Sequence, residues 1–204
     1  MKIYEVPSPI DLRNAPDAIQ WSNEANIKRP WRYDIYKCYV ELIQSRGYLT
    51  VLELGSGPGF LAQYLLEYLP EIHYSAFDFS EPMHELSKAK LSQIQLERTR
   101  YILGDFKQNN WTEHLGCYDV VIIHQALHEL RHKGYATTFH HTVRSLLKPK
   151  GIYLLCDHLC AEGDMSNDQL YMTEAEHISS LEQAEFRDIH KMMLIHGLIV
   201  FQCH

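Results

Sequence analysis

Long apolar runs, a surplus of basic residues and paired cysteines are all missing from this sequence, and each absence excludes a class of protein. No apolar stretch approaches the ~18 residues of a membrane-spanning helix, and the first residues lack the apolar core of a secretory signal, so we expect no membrane association. Acidic residues outnumber basic ones by 26 to 19. The net charge of −7 gives no general attraction for a phosphate backbone, so nucleic acid is not an expected partner.

The five cysteines show neither a CxxC pair nor the spacing of a disulfide framework. Free thiols suit a reducing compartment, which predicts a cytoplasmic protein. Cys156, His158 and Cys160 would share one face of a strand and so resemble a metal clip. Cysteines that pack as small apolar residues in a strand and the following loop explain the pattern more simply, so we predict no metal.

The chain has the size and composition of one globular domain, with 204 residues of which 46% are hydrophobic and 22% charged. Residues 1–30 carry four prolines and weak periodicity. This predicts an irregular N-terminal arm, a candidate substrate lid, with one short helix near 15–27. Residues 31–204 form the expected core of a single domain, which begins with an amphipathic helix at 31–46 that Gly47 ends.

From residue 48 onward, short apolar segments alternate with helical patterns. Strands are expected at 48–54, 72–78, 100–103, 118–123 and 152–156, helices at 60–68, 80–97 and, interrupted near Gly134, 124–147, and a turn at 148–151. Near-continuous apolar strands separated by helices are typical of a doubly wound parallel sheet. A helix at 173–184 and strands at 186–195 and 198–202 then predict an antiparallel hairpin at the edge of a mainly parallel, seven-stranded α/β sheet.

A glycine-rich loop follows the first expected strand, with the pattern E-x-G-x-G-x-G from Glu53 to Gly59. Glycines let the backbone bend sharply and approach a ligand closely, and the helix after the loop presents backbone N–H groups. The third position of a dinucleotide fingerprint is Phe60 here rather than Gly or Ala, and the Gly-Lys-Ser/Thr of a P-loop is absent. Glu53 would repel a pyrophosphate and suits a cationic ligand, such as a sulfonium with an α-amino group.

Two further acids follow the next two expected strands. Asp78 comes 19 residues after Gly59, at a place where a carboxylate accepts hydrogen bonds from both ribose hydroxyls. Asp105 follows the third strand, where it would accept from an adenine amino group, with Phe106 beside the ring. Acids after three successive strands are more specific than any one of them, because a lone Asp is usually a cap or turn residue.

In this order, the motifs resemble those of the class I S-adenosylmethionine-dependent methyltransferases. The resemblance covers residues 31–204 and includes the segments 51–60, 118–121, 124–130 and 146–151, together with Asp78, Gly104-Asp105 and the terminal hairpin. Lys150 stands where the family's LKPGG turn has a glycine. The resemblance implies a Rossmann-like fold, S-adenosylmethionine as cofactor, and methyl transfer by in-line displacement to a small-molecule acceptor.

The resemblance also implies which residues hold the cofactor. Glu53 and the glycines would surround its methionyl part, with His124 nearby at the end of the fourth strand. Asp78 would hold the ribose, and Phe79 and Met83 would flank the adenine. The implied set is Glu53, Gly55, Ser56, Gly57, Gly59, Asp78, Phe79, Met83, Gly104, Asp105, Phe106 and His124.

If the acceptor carries a proton on the atom that is methylated, the protein must supply a group that removes it. The resemblance places His128 toward the pocket, so His128 is the first general-base candidate and His124 the second, with Asp157 as a third catalytic candidate at the end of the fifth strand. A structural role is an equally good interpretation of His128. His124, His128 and His132 would share one helical face, but the Glu of an H-E-x-x-H motif is missing, and no metal is assigned to them.

Residues for the acceptor are expected in three places. In the arm and the helix after it, Arg32 or Tyr33 would contact the cofactor carboxylate, and Arg29 an acidic substrate. His158 ends the fifth strand, and Tyr171 would reach in from a polar loop. Each has a plainer alternative, in which the helix packs on the sheet and the loop is ordinary surface.

Two other functions stay open at this point. An NAD(P)-dependent oxidoreductase would share the sheet and the glycine loop, but Phe60 and Glu53 argue against it. A non-catalytic partner subunit that binds S-adenosylmethionine would keep the same motifs, which say nothing about turnover. The sequence sets neither the acceptor, nor the atom that is methylated, nor the oligomeric state.

Overall fold

Strands alternate with helices along the chain, as the sequence pattern predicts. The computed structural model describes residues 3–47, 49–161 and 165–204. The helices are α1 (Ala15–Lys28), α2 (Arg32–Arg46), α3 (Phe60–Tyr68), α4 (Glu81–Lys88), α5 (Gln93–Glu97), α6 (Ala136–Arg144) and α7 (Glu174–Gln183). The strands are β1 (Thr50–Leu54), β2 (His73–Asp78), β3 (Thr99–Leu103), β4 (Tyr118–His124), β5 (Leu147–His158), β6 (His190–Ile195) and β7 (Leu198–Cys203).

The strands form a mainly parallel sheet in the order β3-β2-β1-β4-β5-β7-β6. β2 pairs in parallel with both β1 and β3, and β4 pairs in parallel with β5. β7 runs antiparallel to both β5 and β6, which places the C-terminal hairpin at one edge. The predicted α/β fold, with its antiparallel hairpin, is confirmed.

The chain divides into two compact units. The N-terminal unit is Pro9–Asp105 and contains α1 to α5 and β1 to β3. The C-terminal unit is Phe106–His204 together with the first residues of the chain up to Ser8, and it contains α6, α7 and β4 to β7. Each unit has buried apolar strands of its own: Val51, Leu52 and Leu54 are fully buried on β1, as are the residues 120–123 on β4.

Local capping sets the helices of the N-terminal unit. The Asn14 side chain accepts a hydrogen bond from the backbone N–H of Asp17 and caps α1. Gly47 ends α2 with a left-handed φ of 64°. The helices predicted at 15–27 and 31–46 are therefore confirmed, whereas Tyr48, which the first expected strand included, lies outside the described residues.

The single helix expected at 80–97 is wrong, because two helices occupy this stretch. Ser80 caps α4, which ends at Lys88. Ser92 and Gln95 then form a capping box, in which each side chain bonds the other residue's backbone N–H, and α5 begins there. The capping box begins a new helix inside the periodic segment, so the segment forms two helices rather than one.

The helix expected at 124–147 is confirmed only in its second half, as α6. Residues 127–130 and 133–135 form separate 3-10 turns before it. Gln125 and Arg131 have φ values of 56° and 63°. Left-handed residues interrupt a right-handed helix, so the segment after β4 is a series of tight turns.

The turn expected at 148–151 is an irregularity within β5. Tyr118 pairs with Leu147 and Val120 pairs with Ile152, so the ladder shifts register between them. Lys150, where the methyltransferase turn has a glycine, adopts a φ of 68°. That conformation favours glycine, so the replacement carries a backbone cost.

The C-terminal hairpin closes on His196 and Gly197, whose φ values are 47° and 74°. Two successive left-handed residues match the twist of the flanking strands. The first strand of the hairpin begins at His190, later than the expected residue 186, because Asp188 is also left-handed with a φ of 48°. None of the described helices has the length and apolar character to cross a membrane.

Candidate functional site

The glycine loop connects β1 to α3 in a sharply bent conformation. Gly57 and Gly59 both have left-handed φ values, of 53° and 80°. A Cβ on Gly59 would lie 2.1 Å from the Ser87 hydroxyl, whereas a Cβ on Gly57 would meet nothing within 4 Å among the described residues. The loop is thus packed on one side and leaves room beside Gly57 for a ligand.

Asp78 holds this loop in place from the end of β2. One carboxylate oxygen accepts a hydrogen bond from the Gly57 N–H at 2.7 Å, and the other accepts from the Ser80 N–H at 2.9 Å. Each carboxylate oxygen has a second lone pair, so Asp78 keeps acceptor capacity for the two hydroxyls of a ribose. The backbone N–H groups of Gly55 and Ser56 also hold the loop in place, because both donate to the Phe77 carbonyl.

Glu53 is buried beneath the loop, and its carboxylate accepts a hydrogen bond from the Tyr74 hydroxyl. Burial raises the pKa of Glu53 to about 8, and the nearby Asp78 adds to this rise, while the Tyr74 hydrogen bond and the Arg32 guanidinium oppose it. Glu53 is therefore largely protonated at neutral pH. A cation bound beside it would favour the carboxylate.

Of the three predicted substrate residues near the arm, only Arg32 is buried and close enough to Glu53 to influence its charge. The Arg32 guanidinium carbon also lies 5.7 Å from the centre of the Phe60 ring. Tyr33 packs in an aromatic cluster, with ring centres 5.5 Å from Tyr36 and 5.8 Å from Tyr64. Arg29 follows the last residue of α1 and is half-buried.

The residues predicted to surround an adenine ring lie around the ends of β2 and β3. Met83 is buried in the first turn of α4. The Gly104 N–H donates to the Asp78 carbonyl at 2.9 Å, and a Cβ there would lie 2.7 Å from the Phe77 ring. Phe79 and Asp105 both contact one further residue that the sequence did not single out, which is Arg13.

Phe106, the last predicted adenine contact, belongs to the C-terminal unit. Its ring lies 5.3 Å from Phe139 of α6 at a steep angle, and Trp111 stacks on the same Phe139 at 5.8 Å. These three side chains help to line a cavity of about 300 Å³. Phe106 is thus part of an aromatic cluster within its own unit.

In the C-terminal unit, the half-buried His128 pairs with the buried Asp157. His128 Nδ1 lies 2.7 Å from Asp157 Oδ1, and the His128 backbone N–H donates to Asp157 Oδ2 at 2.8 Å. The His158 backbone N–H also donates to Asp157, at 2.8 Å. Two backbone donors and an imidazole therefore fix the carboxylate, which in turn fixes the orientation of the His128 ring.

The electrostatics of this pair favour an ionised acid and a basic imidazole. Burial alone would lower the pKa of His128, but the charge and hydrogen bond of Asp157, together with Glu129, outweigh it and raise the pKa. Burial alone would raise the pKa of Asp157, but His128 and, more weakly, His158 lower it to about 2. Asp157 is therefore a carboxylate at neutral pH.

Aromatic and polar side chains surround His128. The Tyr171 and His158 rings have their centres 5.5 Å and 5.7 Å from that of His128. Gln125 Nε2 lies 3.1 Å from His158 Nε2. The structure thus brings His128, Asp157, His158 and Tyr171 together. The loop before Tyr171 includes residues 162–164, which lie outside the described part of the chain.

The predicted histidine stripe does not share one helical face. His124 is the last residue of β4, and His128 lies in a 3-10 turn. His132 caps the next turn by accepting from the Gly134 N–H at 2.9 Å. Among the described residues, no group of three or more His, Cys, Asp or Glu side chains is placed to hold a metal ion.

Sequence reasoning missed Gln125 and Arg13 as neighbours of the predicted site residues. Gln125 directly follows the fourth strand, which is the same kind of position that singled out Asp78 and Asp105. Arg13 has no such signal, because it lies in the irregular arm, far along the chain from its contacts.

A family model described as a methyltransferase domain matches residues 51–151. Malonyl-[acyl-carrier protein] O-methyltransferase of Bacillus anthracis is 24% identical over 127 residues, which cover 61% of this chain and 45% of that protein. The chain spans less than half the length of the curated relatives it matches.

Solved structures share the fold. Human N-acetylserotonin methyltransferase in complex with SAM superposes with a TM-score of 0.72 at 18% identity, over 98% of this chain and 60% of that chain. The DhpI–SAH complex superposes with a TM-score of 0.68 at 18% identity, over 94% of this chain and 95% of that one. Together with the motif order and the sheet topology, the match over residues 51–151 supports a class I S-adenosylmethionine-dependent methyltransferase domain in this chain.

Proposed function

We propose that this protein is an S-adenosylmethionine-dependent methyltransferase that acts on a hydroxyl or carboxyl group of a small-molecule acceptor. The observation that carries the proposal is the buried Glu53 carboxyl beneath a glycine loop that Asp78 holds in place. A cationic ligand beside a buried acid whose pKa is about 8 stabilises the ionised form of that acid. S-adenosylmethionine, with a sulfonium and an α-amino group, supplies that charge, whereas the pyrophosphate of a dinucleotide has the opposite sign.

The geometry of the N-terminal unit supports the cofactor roles that the family resemblance implies. Glu53 and the glycine loop would hold the methionyl part, Asp78 the ribose, and Asp105 the adenine amino group. The other residues proposed for this site are Gly55, Ser56, Gly57, Gly59, Phe79, Met83 and Gly104, with Phe106 and His124 carried over from the family resemblance alone. When bound, the cofactor supplies an electrophilic methyl group on a positively charged sulfur.

His128 is the proposed general base. Because Asp157 accepts at Nδ1, the proton of the neutral imidazole resides there, and Nε2 carries the lone pair that removes a proton from the acceptor. Asp157 is a positioning residue that fixes this tautomer. Glu129 Oε1 lies 3.5 Å from Nε2 and would stabilise the imidazolium after proton transfer.

The acceptor is proposed to lie against His158 and Tyr171, whose rings flank His128. A hydroxyl acceptor fits an imidazole base, because it must lose the proton of the oxygen that is methylated. A carboxyl acceptor is already ionised at neutral pH and would need only to be positioned. The Bacillus anthracis relative is itself named as an O-methyltransferase. Arg29, Arg32 and Tyr33 remain proposed contacts for the carboxylates of cofactor or substrate.

Calorimetric titration with S-adenosylmethionine, its demethylated product and NADH tests the cofactor assignment. Both sulfur compounds should bind and NADH should not. Below pH 8, affinity for S-adenosylmethionine should increase by up to about tenfold for each unit by which the pH is raised, because the proton on Glu53 must leave for the ion pair to form. Glu53→Gln should bind more weakly and lose this part of the pH dependence.

Binding of NADH alone would overturn the proposal and favour an oxidoreductase. If both sulfur compounds bind but no methylated product forms with any hydroxyl or carboxyl acceptor in a broad library, the proposed acceptor class is wrong. If amine, thiol and carbon acceptors also give no product, a non-catalytic cofactor-binding subunit is the better interpretation. Product detection by mass spectrometry separates that case from an active enzyme.

A further inference from the structure

A short segment of the arm, residues 10–14, lies against the proposed adenine end of the cofactor site; we call it the N-terminal strap. The Ser80 hydroxyl donates to the Leu12 carbonyl at 2.5 Å. Arg13 Nη2 lies 3.5 Å from Asp105 Oδ2, and its guanidinium carbon lies 4.6 Å from the centre of the Phe79 ring. All three contacts lie within the N-terminal unit.

The two contacts of Arg13 reproduce those that an adenine would require. A guanidinium is a planar group that stacks on an aromatic ring and donates hydrogen bonds to a carboxylate. An adenine is a planar group that packs on an aromatic ring and donates from its amino group. Phe79 and Asp105 are the proposed contacts of an adenine, and they are also the residues that Arg13 contacts.

The space beside Phe79 does not admit both groups. A ring placed between two planar groups needs about 3.5 Å on each side at van der Waals contact, which is about 7 Å in total. The observed separation of 4.6 Å between the Arg13 guanidinium and Phe79 is the distance of direct contact. An adenine that packs on this face must therefore displace Arg13.

We infer that Arg13 is an internal competitor for the adenine end of the site, so that the N-terminal strap sets the affinity for adenosine-containing ligands. The inference rests on the proposed function, because it takes Phe79 and Asp105 as adenine contacts. The Arg13 side chain is 59% exposed and that of Asp105 is 19% exposed. An ion pair of this exposure is weak, so displacement costs only about a two- to fivefold loss of affinity.

The strap is itself ordered by local bonds. The Arg13 backbone N–H donates to the Asp11 side chain at 3.1 Å, and the Asn14 N–H donates to the Asp11 carbonyl at 3.0 Å. Asn14 then caps α1. The guanidinium can leave Phe79 by rotation of its side chain while this turn stays in place, because the tie of Leu12 to Ser80 does not involve the Arg13 side chain.

Calorimetry with Arg13→Ala tests the inference. Three probes are used: the demethylated cofactor product, adenosine, and methionine, which lacks the adenine. The variant should bind the first two about two- to fivefold more tightly than the wild type and bind methionine equally. Lys37→Ala is the matched control, because it removes one exposed cation that pairs with Glu41 at 3.9 Å on α2, and its affinities should not change.

Salt provides a second readout. Salt screens the pair of Arg13 and Asp105, so wild-type affinity for uncharged adenosine should rise as salt increases, whereas Arg13→Ala should show no such rise. Arg13→Gln, which retains the length without the charge, should behave as the alanine variant does and guards against a folding defect in it.

The outcomes separate the two proposals. If the wild type binds the demethylated product and Arg13→Ala binds it equally or more weakly, Arg13 is no competitor and the inference alone fails. Weaker binding would mean that Arg13 closes over a bound adenine. If neither protein binds any adenosine compound, the proposed function fails and the inference fails with it.

Discussion

At the scale of single residues, the paired groups His128 and Asp157 carry the chemistry that can be tested most directly. They are 29 residues apart in the chain, yet Nδ1 and Oδ1 lie 2.7 Å apart. The pair raises the pKa of the imidazole despite its burial. A base with a raised pKa is stronger, but it is neutral only at higher pH, so the rate should rise as pH increases through that pKa.

Replacing Asp157 by Asn should shift this rise, which is the acidic limb of the pH profile, to lower pH and reduce kcat. The substitution removes the charge that raises the pKa of His128 and no longer imposes the productive tautomer. His128→Gln should reduce kcat by about 10²- to 10⁴-fold and remove the limb, with cofactor affinity unchanged. The measurement is kcat against pH for both variants, with calorimetric affinity for the demethylated product.

Glu129→Gln is the control for this prediction, because it removes a neighbouring charge without breaking the 2.7 Å bond. It should move the limb less than Asp157→Asn does. A His128→Gln enzyme with the wild-type rate would show that the histidine is structural.

The residues that sequence reasoning could find are those whose signal is local. The glycine loop, Glu53 and Asp78 occupy fixed places relative to strands that hydrophobic runs reveal. The bond between His128 and Asp157 depends on the register of β4 with β5, and the contact of Arg13 with Phe79 depends on the path of the arm. Neither leaves a pattern in the sequence, because both are long-range.

At the scale of elements, the errors of prediction occur where a local signal interrupts a periodic segment. The capping box at Ser92 divides the helix expected at 80–97. Left-handed residues at Gln125 and Arg131 break the segment after β4. Hydrophobic periodicity detects which residues face the core but not whether the backbone between them is continuous.

Lys150 allows the backbone cost of one such irregularity to be measured. Its φ of 68° is left-handed, which costs a residue with a Cβ roughly 1–2 kcal/mol. Lys150→Gly should therefore stabilise the protein, by up to about 1 kcal/mol once the greater freedom of glycine in the unfolded chain is subtracted. Urea unfolding at neutral pH measures the change.

The matched variant is Lys150→Ala, which removes the same side chain but keeps the Cβ. It should gain no stability, because its left-handed φ carries the same cost. Equal stabilisation by both substitutions would assign the effect to the lost lysine side chain, and strain at this position would then be rejected.

At the scale of the whole molecule, thirteen histidines make charge and stability depend on pH below neutrality. Not all of them can gain a proton in the folded state. Burial lowers the pKa of His140 to about 3 and that of His84 to about 4. His140 is completely buried on α6, within 3.3 Å of the Tyr153 hydroxyl. Histidines with such lowered pKa values reduce the stability of the folded state in acid.

The sign follows from comparing the two states. In the unfolded chain His140 has its ordinary pKa near 6.5, so below that pH the unfolded chain binds a proton that the folded chain does not bind. Stability should therefore fall as pH decreases from about 6.5 toward 3, by up to about 1.4 kcal/mol per pH unit for each such histidine. Above pH 6.5 these histidines contribute no pH dependence.

His140→Gln should remove one histidine's share of this slope, whatever its effect on stability at neutral pH. Urea unfolding between pH 7.5 and pH 5 measures the slope. His141→Gln is the control, because this neighbouring side chain is exposed, and its slope should match that of the wild type. If His140→Gln and the wild type lose stability equally with acid, the folded protein accepts a proton at His140, and acid sensitivity must come from other groups.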